Sequence, residues 1–448
     1  MKQLADKHWT VPADELARDI TEARQRTLKL VSDLGDEQMT GPLIEIINPF
    51  LWELGHTAFF YEAFLLRALD GTPPLLEGGD NLYNSFTVEH DTRWGLPLPS
   101  RKDTLAYMDR EHALTLERLD GSTPNAVETY LNLLALHHED MHGEAFTYMR
   151  QTLEYCAPDL NGAGGAPTSN GNTGQGPLPG DVDVPGGVYQ LGAAPDVPFV
   201  FDNEKWAHPV EVAPFQIARA PVTNAEFAEF IEAGGYGQQD LWDYEGWVWR
   251  NRTGAQHPVY WTRGSGGWQR RHFDRMVSLE EHAPASHITW YEADAYCNWA
   301  GRRLPTEAEW DMAASAEPTD DGGSVTGRKR RYPWGDETPE PRHANLDSRA
   351  MGCADVGAFP DGDSAFGCRQ MAGNVWEWTA SPFYPLPGYV LDFPYKEYSA
   401  PWFGYRKVLK GGAWATRSRL AYNCYRNFFP PHRNDVIAGF RTCPGGAA

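Results

Sequence analysis

The sequence predicts an α+β chain of two domains: an N-terminal four-helix bundle over residues 1–157 and a C-terminal domain of short strands and many loops over residues 184–448. Three observations predict it. The first 157 residues carry four stretches with apolar side chains at helical spacing, the pattern of helices that bury one stripe. Residues 158–183 (PDLNGAGGAPTSNGNTGQGPLPGDVD) are nearly pure Gly, Asn, Thr, Pro and Ser, a linker composition. From Val184 onward, short β-type runs alternate with Gly, Pro, Asn and Asp. A chain of 448 residues also exceeds one ordinary domain.

The first helix opens at Pro12-Ala13-Asp14-Glu15-Leu16 and runs to residue 30. The second opens near Pro49, carries His56 among Trp52, Phe59 and Phe60, and continues to residue 69. The third follows Ser100 and covers 102–119. The fourth holds His138 and His142 and ends near Tyr155. In the second domain two helical stretches stand out, 224–233 and 290–301, and the rest reads as loops and short strands. No repeat of 20 to 50 residues is present, which excludes a solenoid or propeller.

The net charge of −22 disfavours nucleic acid and anionic membranes as partners. No run approaches 18 apolar residues, and residues 1–26 lack the apolar core of a signal peptide. Six cysteines without CxxC spacing give neither a disulfide framework nor a zinc finger. The expectation is a soluble, cytoplasmic protein.

The chemistry concentrates in His138-Glu139-Asp140-Met141-His142-Gly143-Glu144. Residues four apart share a helix face, so His138 and His142 can aim at one point. His56 offers a third imidazole. Three neutral imidazoles hold a metal and leave open positions, although ligand type alone does not separate zinc from iron. Glu144 points elsewhere and is placed to orient an imidazole or to tie down a neighbouring helix. The competing reading is two solvated histidines on a surface helix.

The second half resembles the formylglycine-generating-enzyme/sulfatase-modifying fold, itself close to C-type lectins. The resemblance lies in GGVYQLG (186–192), PVTN (221–224), AYCNWAGRRLPTEAEW (295–310), YPWG (332–335), GNVWEW (373–378), GGAW (411–414) and GFR (439–441). The two copper-binding cysteines of those enzymes are missing: after GGAW only Cys424 appears. The first half resembles a DinB-type bundle, whose His on the second helix and HxxxHxE on the fourth match His56, His138, His142 and Glu144. The two together resemble the EgtB family of sulfoxide synthases. These couple a thiol sulfur to C2 of the imidazole of hercynine (N-α-trimethylhistidine), using dioxygen.

The resemblance implies Fe(II) held by the three histidines, with O2 as co-substrate. It implies Tyr395 as the proton or hydrogen donor beside the metal, with Tyr398 shaping the pocket. Asn427 and Phe428 match the family's hercynine contacts. Met141 stands where a glutamine often contacts the imidazole. Phe429 replaces the aspartate of enzymes that use γ-glutamylcysteine, with Arg433 beyond it. Arg93 matches an arginine that binds the donor's carboxylate. A smaller or uncharged donor is therefore expected: free cysteine, or a selenosugar as in the related selenoneine synthases. Other readings are a histidine–cysteine synthase of the ovothiol type and a non-catalytic, zinc-bearing, lectin-like binding protein. A Ca(II) site from Asn345, Asp347 and Asn374 is also considered.

Overall fold

The structure, a computed structural model, describes residues 9–160, 175–195 and 199–445. Four helices form the bundle: α1 (Ala13–Lys29), α2 (Phe50–Tyr61), α3 (Arg101–Leu119) and α4 (Ala126–Thr152). Their ends follow local chemistry. In α1, Asp14 and Glu15 occupy the first turn and Arg26 and Lys29 the last, which matches the helix dipole. The Ser100 side chain caps α3, and Asn125 and Glu128 form a capping box on α4. Helix α2 passes through a π-helical turn, Glu62–Leu66, before one more α-turn at Arg67–Asp70. A buried knot ties three helices together: Arg24 reaches Glu139 at 2.9 Å, Glu111 at 3.0 Å and the Met108 carbonyl at 3.0 Å.

The second domain begins earlier than its composition suggests. Strand β1 is Asp181–Val184, antiparallel to β4 (Phe215–Ala218). Ahead of it, the Gly176 N–H donates to Asp355 Oδ2 at 3.1 Å and the Gly176 carbonyl accepts from Gly357 N–H. The end of the linker assigned to 158–183 is thus part of the second domain, held by backbone hydrogen bonds that composition does not report. Residues 161–174 lie outside the described residues. Strand β2 (Gly187–Leu191) pairs with β3 (His208–Val212).

Four helices of at least nine residues follow: α5 (Asn224–Glu232), α6 (Tyr244–Thr253), α7 (Trp290–Trp299) and α8 (Glu307–Ser315). Only α5 and α7 were expected. Helix α8 starts at a capping box of Thr306 and Glu309, and Asp243 caps α6; the two run nine and ten residues, too few turns for a clear apolar period. The central sheet has β5 (Trp376–Pro382) antiparallel to β6 (Lys407–Lys410), which pairs with β7 (Asn427–Phe429); β8 (Ala438–Gly439) runs parallel on the other side of β5.

Three of the quoted strings, LPTEAEW, GNVWEW and GFR, meet in one framework contact. Glu377 accepts both prongs of Arg441, at 2.6 and 2.7 Å, and the Trp310 indole N–H at 2.8 Å. All three side chains are at most 1 % exposed.

One apolar cluster spans the two domains, beside others that each domain keeps to itself. The spanning cluster contains Leu16 and Ile20 of α1, Leu131 and Leu134 of α4, and Phe199, Trp376 and Tyr425 of the second domain. Polar contacts line the seam. Arg419 pairs with Asp140 at 2.6 Å, Arg417 and Arg419 both reach Glu22, and Gln151 accepts from Phe273 N–H at 2.6 Å. Among the described residues no helix is long and apolar enough to cross a membrane.

Glu377→Ala leaves Arg441 buried without its counter-ion. The expected cost is about 3–5 kcal/mol, read as a lower midpoint in chemical denaturation; an unchanged midpoint would show that the pair does not hold the sheet.

Candidate metal centre and substrate cavity

Helix α2 is buried almost all round, Phe50 and Trp52 to Tyr61 included, as its run of aromatic and aliphatic residues requires. That burial carries His56 into the bundle. Its Nδ1 lies 2.7 Å from the Tyr83 carbonyl, so Nδ1 carries the hydrogen and Nε2 keeps its lone pair. The approach of Tyr83 depends on Gly55: a Cβ there would lie 2.1 Å from the Tyr83 ring. On α4, His138 and His142 face each other with Nε2 atoms 3.1 Å apart. One nitrogen from each of His56, His138 and His142 lies within 4.8 Å of the others. Among the described residues this is the one such group.

The electrostatics suit a cation. Burial, then the neighbouring imidazoles, lowers the pKa of His138 well below its ordinary value. Burial and His142 bring His56 down to about 3, against Glu53, which raises it. Both are therefore neutral, the form that ligates a metal. The second nitrogen of His142, Nδ1, lies 2.6 Å from Glu53 Oε2. Burial pushes the Glu53 carboxyl up, but His142, His56 and Asn48 outweigh it and hold it at about 2. Asn48 Nδ2 donates to the other Glu53 oxygen at 2.6 Å. Rings fix the remaining freedom: Phe60 stacks on His138 at 3.6 Å and Trp52 on His56 at 4.7 Å. Three converging imidazoles, two of them oriented through their outer nitrogens, fit a divalent first-row cation.

A cavity of about 250 Å³ lies at the seam, with His138, His142 and Met141 on the bundle side and Tyr395, Tyr398 and Trp376 across from them. Tyr395 stands edge-on to Phe60 at 4.9 Å and to the His138 ring at 6.1 Å. Tyr398 lies 5.7 Å from Tyr395 and donates to Met141 Sδ at 3.7 Å. Burial raises the pKa of both phenols, so both keep their protons at neutral pH. Asn427, Phe428 and Phe429 also reach the cavity, from β7. Phe428 stacks on Phe383 at 4.1 Å.

Other expected residues are engaged elsewhere. Arg93 donates to Asn48 Oδ1 at 2.7 Å and to the Val88 carbonyl at 3.2 Å, and it stacks 3.9 Å above Trp52. It braces the wall behind His56. Both prongs of Arg433 go to Asp435, each at 2.5 Å. Glu144 touches no imidazole: it accepts from the Trp376 indole N–H and the Thr416 hydroxyl, both at 2.6 Å, and so ties α4 to the second domain. The orienting carboxylate is Glu53 instead, three residues before His56. Its spacing placed it beside the site, but its partner lies on another helix, which spacing cannot show.

The calcium reading fails on donor orientation. The Asn345 amide donates to Asn374 Oδ1 and to the Gly352 carbonyl, and Asn374 Oδ1 also accepts from Ala354 N–H. Asp347 is taken by Arg349, Arg417 and Ser418 N–H. These groups satisfy one another.

Residues 19–148 match the DinB superfamily and residues 167–444 the sulfatase-modifying factor enzyme 1-like domain. The hercynine oxygenase of Mycobacterium tuberculosis is 38 % identical over 433 residues, spanning 96 % of this chain and 98 % of that protein. The chain belongs to the hercynine oxygenase family. The family's member in Mycolicibacterium thermoresistibile is likewise 38 % identical over 437 residues, spanning 95 % of this chain and 94 % of that protein. The formylglycine-generating enzyme of Streptomyces coelicolor is 33 % identical over 276 residues, covering 55 % of this chain and 81 % of that enzyme. Family membership makes the chain an oxidoreductase.

His138→Ala should abolish binding of one divalent ion in a metal titration. Glu53→Gln should weaken it about 10–100-fold with the fold intact, the usual effect of losing a group that orients a ligand; undiminished affinity would remove Glu53 from that role.

Proposed function

We propose that the chain is an Fe(II)- and O2-dependent synthase that joins a sulfur donor to C2 of the hercynine imidazole. The observation that carries this reading is the three-histidine centre at the head of an aromatic cavity that also holds Tyr395. In the balance, the thiol and the imidazole C–H each lose one hydrogen. One oxygen atom ends on sulfur as the sulfoxide and the other leaves as water. Iron(II) would supply the dioxygen chemistry and lower the pKa of the donor thiol.

The chain's own residues do the rest. Trp376, Tyr398, Trp402, Tyr425 and Phe428 give the cavity aromatic faces, which suit a trimethylammonium group. Tyr395 retains its phenolic proton and stands beside His138, so it can donate that hydrogen near the metal. Met141, occupied by the Tyr398 hydroxyl, gives the imidazole an apolar neighbour rather than an amide.

The donor is small or uncharged in this reading. Phe429 offers no partner to a glutamyl ammonium, and Arg93 and Arg433 already serve chain acceptors. Free cysteine is the first choice and a selenosugar the second. The six free cysteines suit a reducing, cytoplasmic compartment.

Aerobic turnover with Fe(II), hercynine and, in parallel, cysteine, γ-glutamylcysteine and a selenosugar tests this, with products read by mass spectrometry. An oxidised adduct with one donor is expected, and no adduct with any of them would sink the reading. Tyr395→Phe should cut coupling about 10²–10⁴-fold, the usual worth of a positioned proton donor, while thiol oxidation takes over. An unchanged product ratio would move the role to another residue.

A further inference from the structure

One cation in the substrate cavity has no counter-ion. Arg406 follows the loop that bears Tyr395 and Tyr398, and it lines the same cavity as His138 and His142. Among the described residues no carboxylate forms an ion pair with it. It donates a long hydrogen bond from Nη1 to the Phe428 carbonyl at 3.4 Å and a second to the Tyr405 hydroxyl, both neutral acceptors, and its Nε is buried without a partner. Aromatic rings hold the guanidinium in place: it lies 4.0 Å above Trp402 and 5.6 Å from both Tyr405 and Phe428.

The contrast with other arginines is informative. Arg24, Arg419, Arg426, Arg433 and Arg441 are each met by at least one carboxylate, and Arg93, which has none, gives its Nη atoms to the Asn48 side chain and to the Ser85 and Val88 carbonyls. Arg433 would be the nearest model for Arg406, but it consumes Asp435 with both prongs. Burial, chiefly, and the like charge of Arg433 lower the pKa of Arg406, against Tyr405, which raises it. A half-buried guanidinium without an anion is costly. In a chain of net charge −22, where acidic side chains outnumber basic ones, leaving this one unpaired needs a reason. An anion that arrives with the substrate supplies one, because Arg presents a rigid fork matched to a carboxylate.

We propose that Arg406 is the carboxylate-binding residue of this cavity, deepening the function proposed above and resting on it. The cavity then has three chemical stations: imidazoles at one end, aromatic faces along the wall, and a guanidinium with no carboxylate partner. A zwitterion with a quaternary ammonium beside a carboxylate matches the last two together. The carboxylate has two sources, the trimethylated histidine or an amino-acid thiol donor, and both present the same group.

The test is ligand binding without turnover, on the full chain loaded with zinc. Two pairs of probes are titrated: hercynine against its decarboxylated analogue, and cysteine against cysteamine. Wild type, Arg406→Gln and Arg406→Lys are compared. Arg406→Gln should weaken one carboxylate-bearing probe about 10–100-fold, the worth of a charge-assisted pair, and leave its decarboxylated partner unchanged. Arg406→Lys should recover part of the loss. The pair that shows the selectivity names the source.

Equal losses on both members of each pair, or no loss, would overturn the assignment while hercynine binding by the wild type left the proposed function standing. Selectivity for cysteine over cysteamine alone, with no binding of hercynine, would keep Arg406 as a carboxylate site and remove the hercynine reading. A wild type that bound none of the four probes would overturn both.

Discussion

Helix α4 carries two interleaved pairs of side chains, and the site depends on the second pair. His138 and His142 supply imidazoles; Asp140 and Glu144, offset by two residues, supply carboxylates that grip the other domain. Asp140 is held by Arg419 and Glu144 by Trp376 and Thr416. Each pair repeats every four residues, so each lies on one face of the helix. The same rod thus presents a metal site and fixes it against the wall that completes the cavity. Without that grip the histidines would still converge, but Tyr395 and the aromatic faces would have no set distance from them.

What was legible in the sequence followed from local spacing. The His138/His142 pair and the buried aromatic helix with His56 needed nothing beyond helical geometry. The cap of α8 was equally local, through Thr306 and Glu309, and was passed over because the helix is too short to show a period. Groups whose partners lie far along the chain were illegible. Arg93 and Arg433 have the right charge for a substrate, yet Asn48 and Asp435 claim them. Glu53 was ordinary until His142 was seen to arrive from another helix. The 181–184 strand was hidden because its pairing partner begins 31 residues beyond its end, at Phe215.

The strings that identify the second domain and the residues that do chemistry are largely different sets. Glu377 on the sheet takes both prongs of Arg441 and the Trp310 indole N–H, a buried framework contact. Trp376 belongs to the same string but turns toward Glu144, making it the point where framework becomes site. The fold is therefore a support that can serve several chemistries. What sets this copy apart from the formylglycine-generating enzymes is the histidine-bearing bundle pressed against it.

The shared core has a consequence for how the protein comes apart. With α1 and α4 built into the same apolar cluster as Trp376 and Tyr425, neither half closes that cluster alone. A helical segment produced alone would bare the seam to water and tend to self-associate. Occupancy of the histidine centre, which belongs wholly to the bundle, then reaches the distant strands through mass action on one cooperative unit. A ligand held by the bundle's histidines would therefore also steady strands that never come near it.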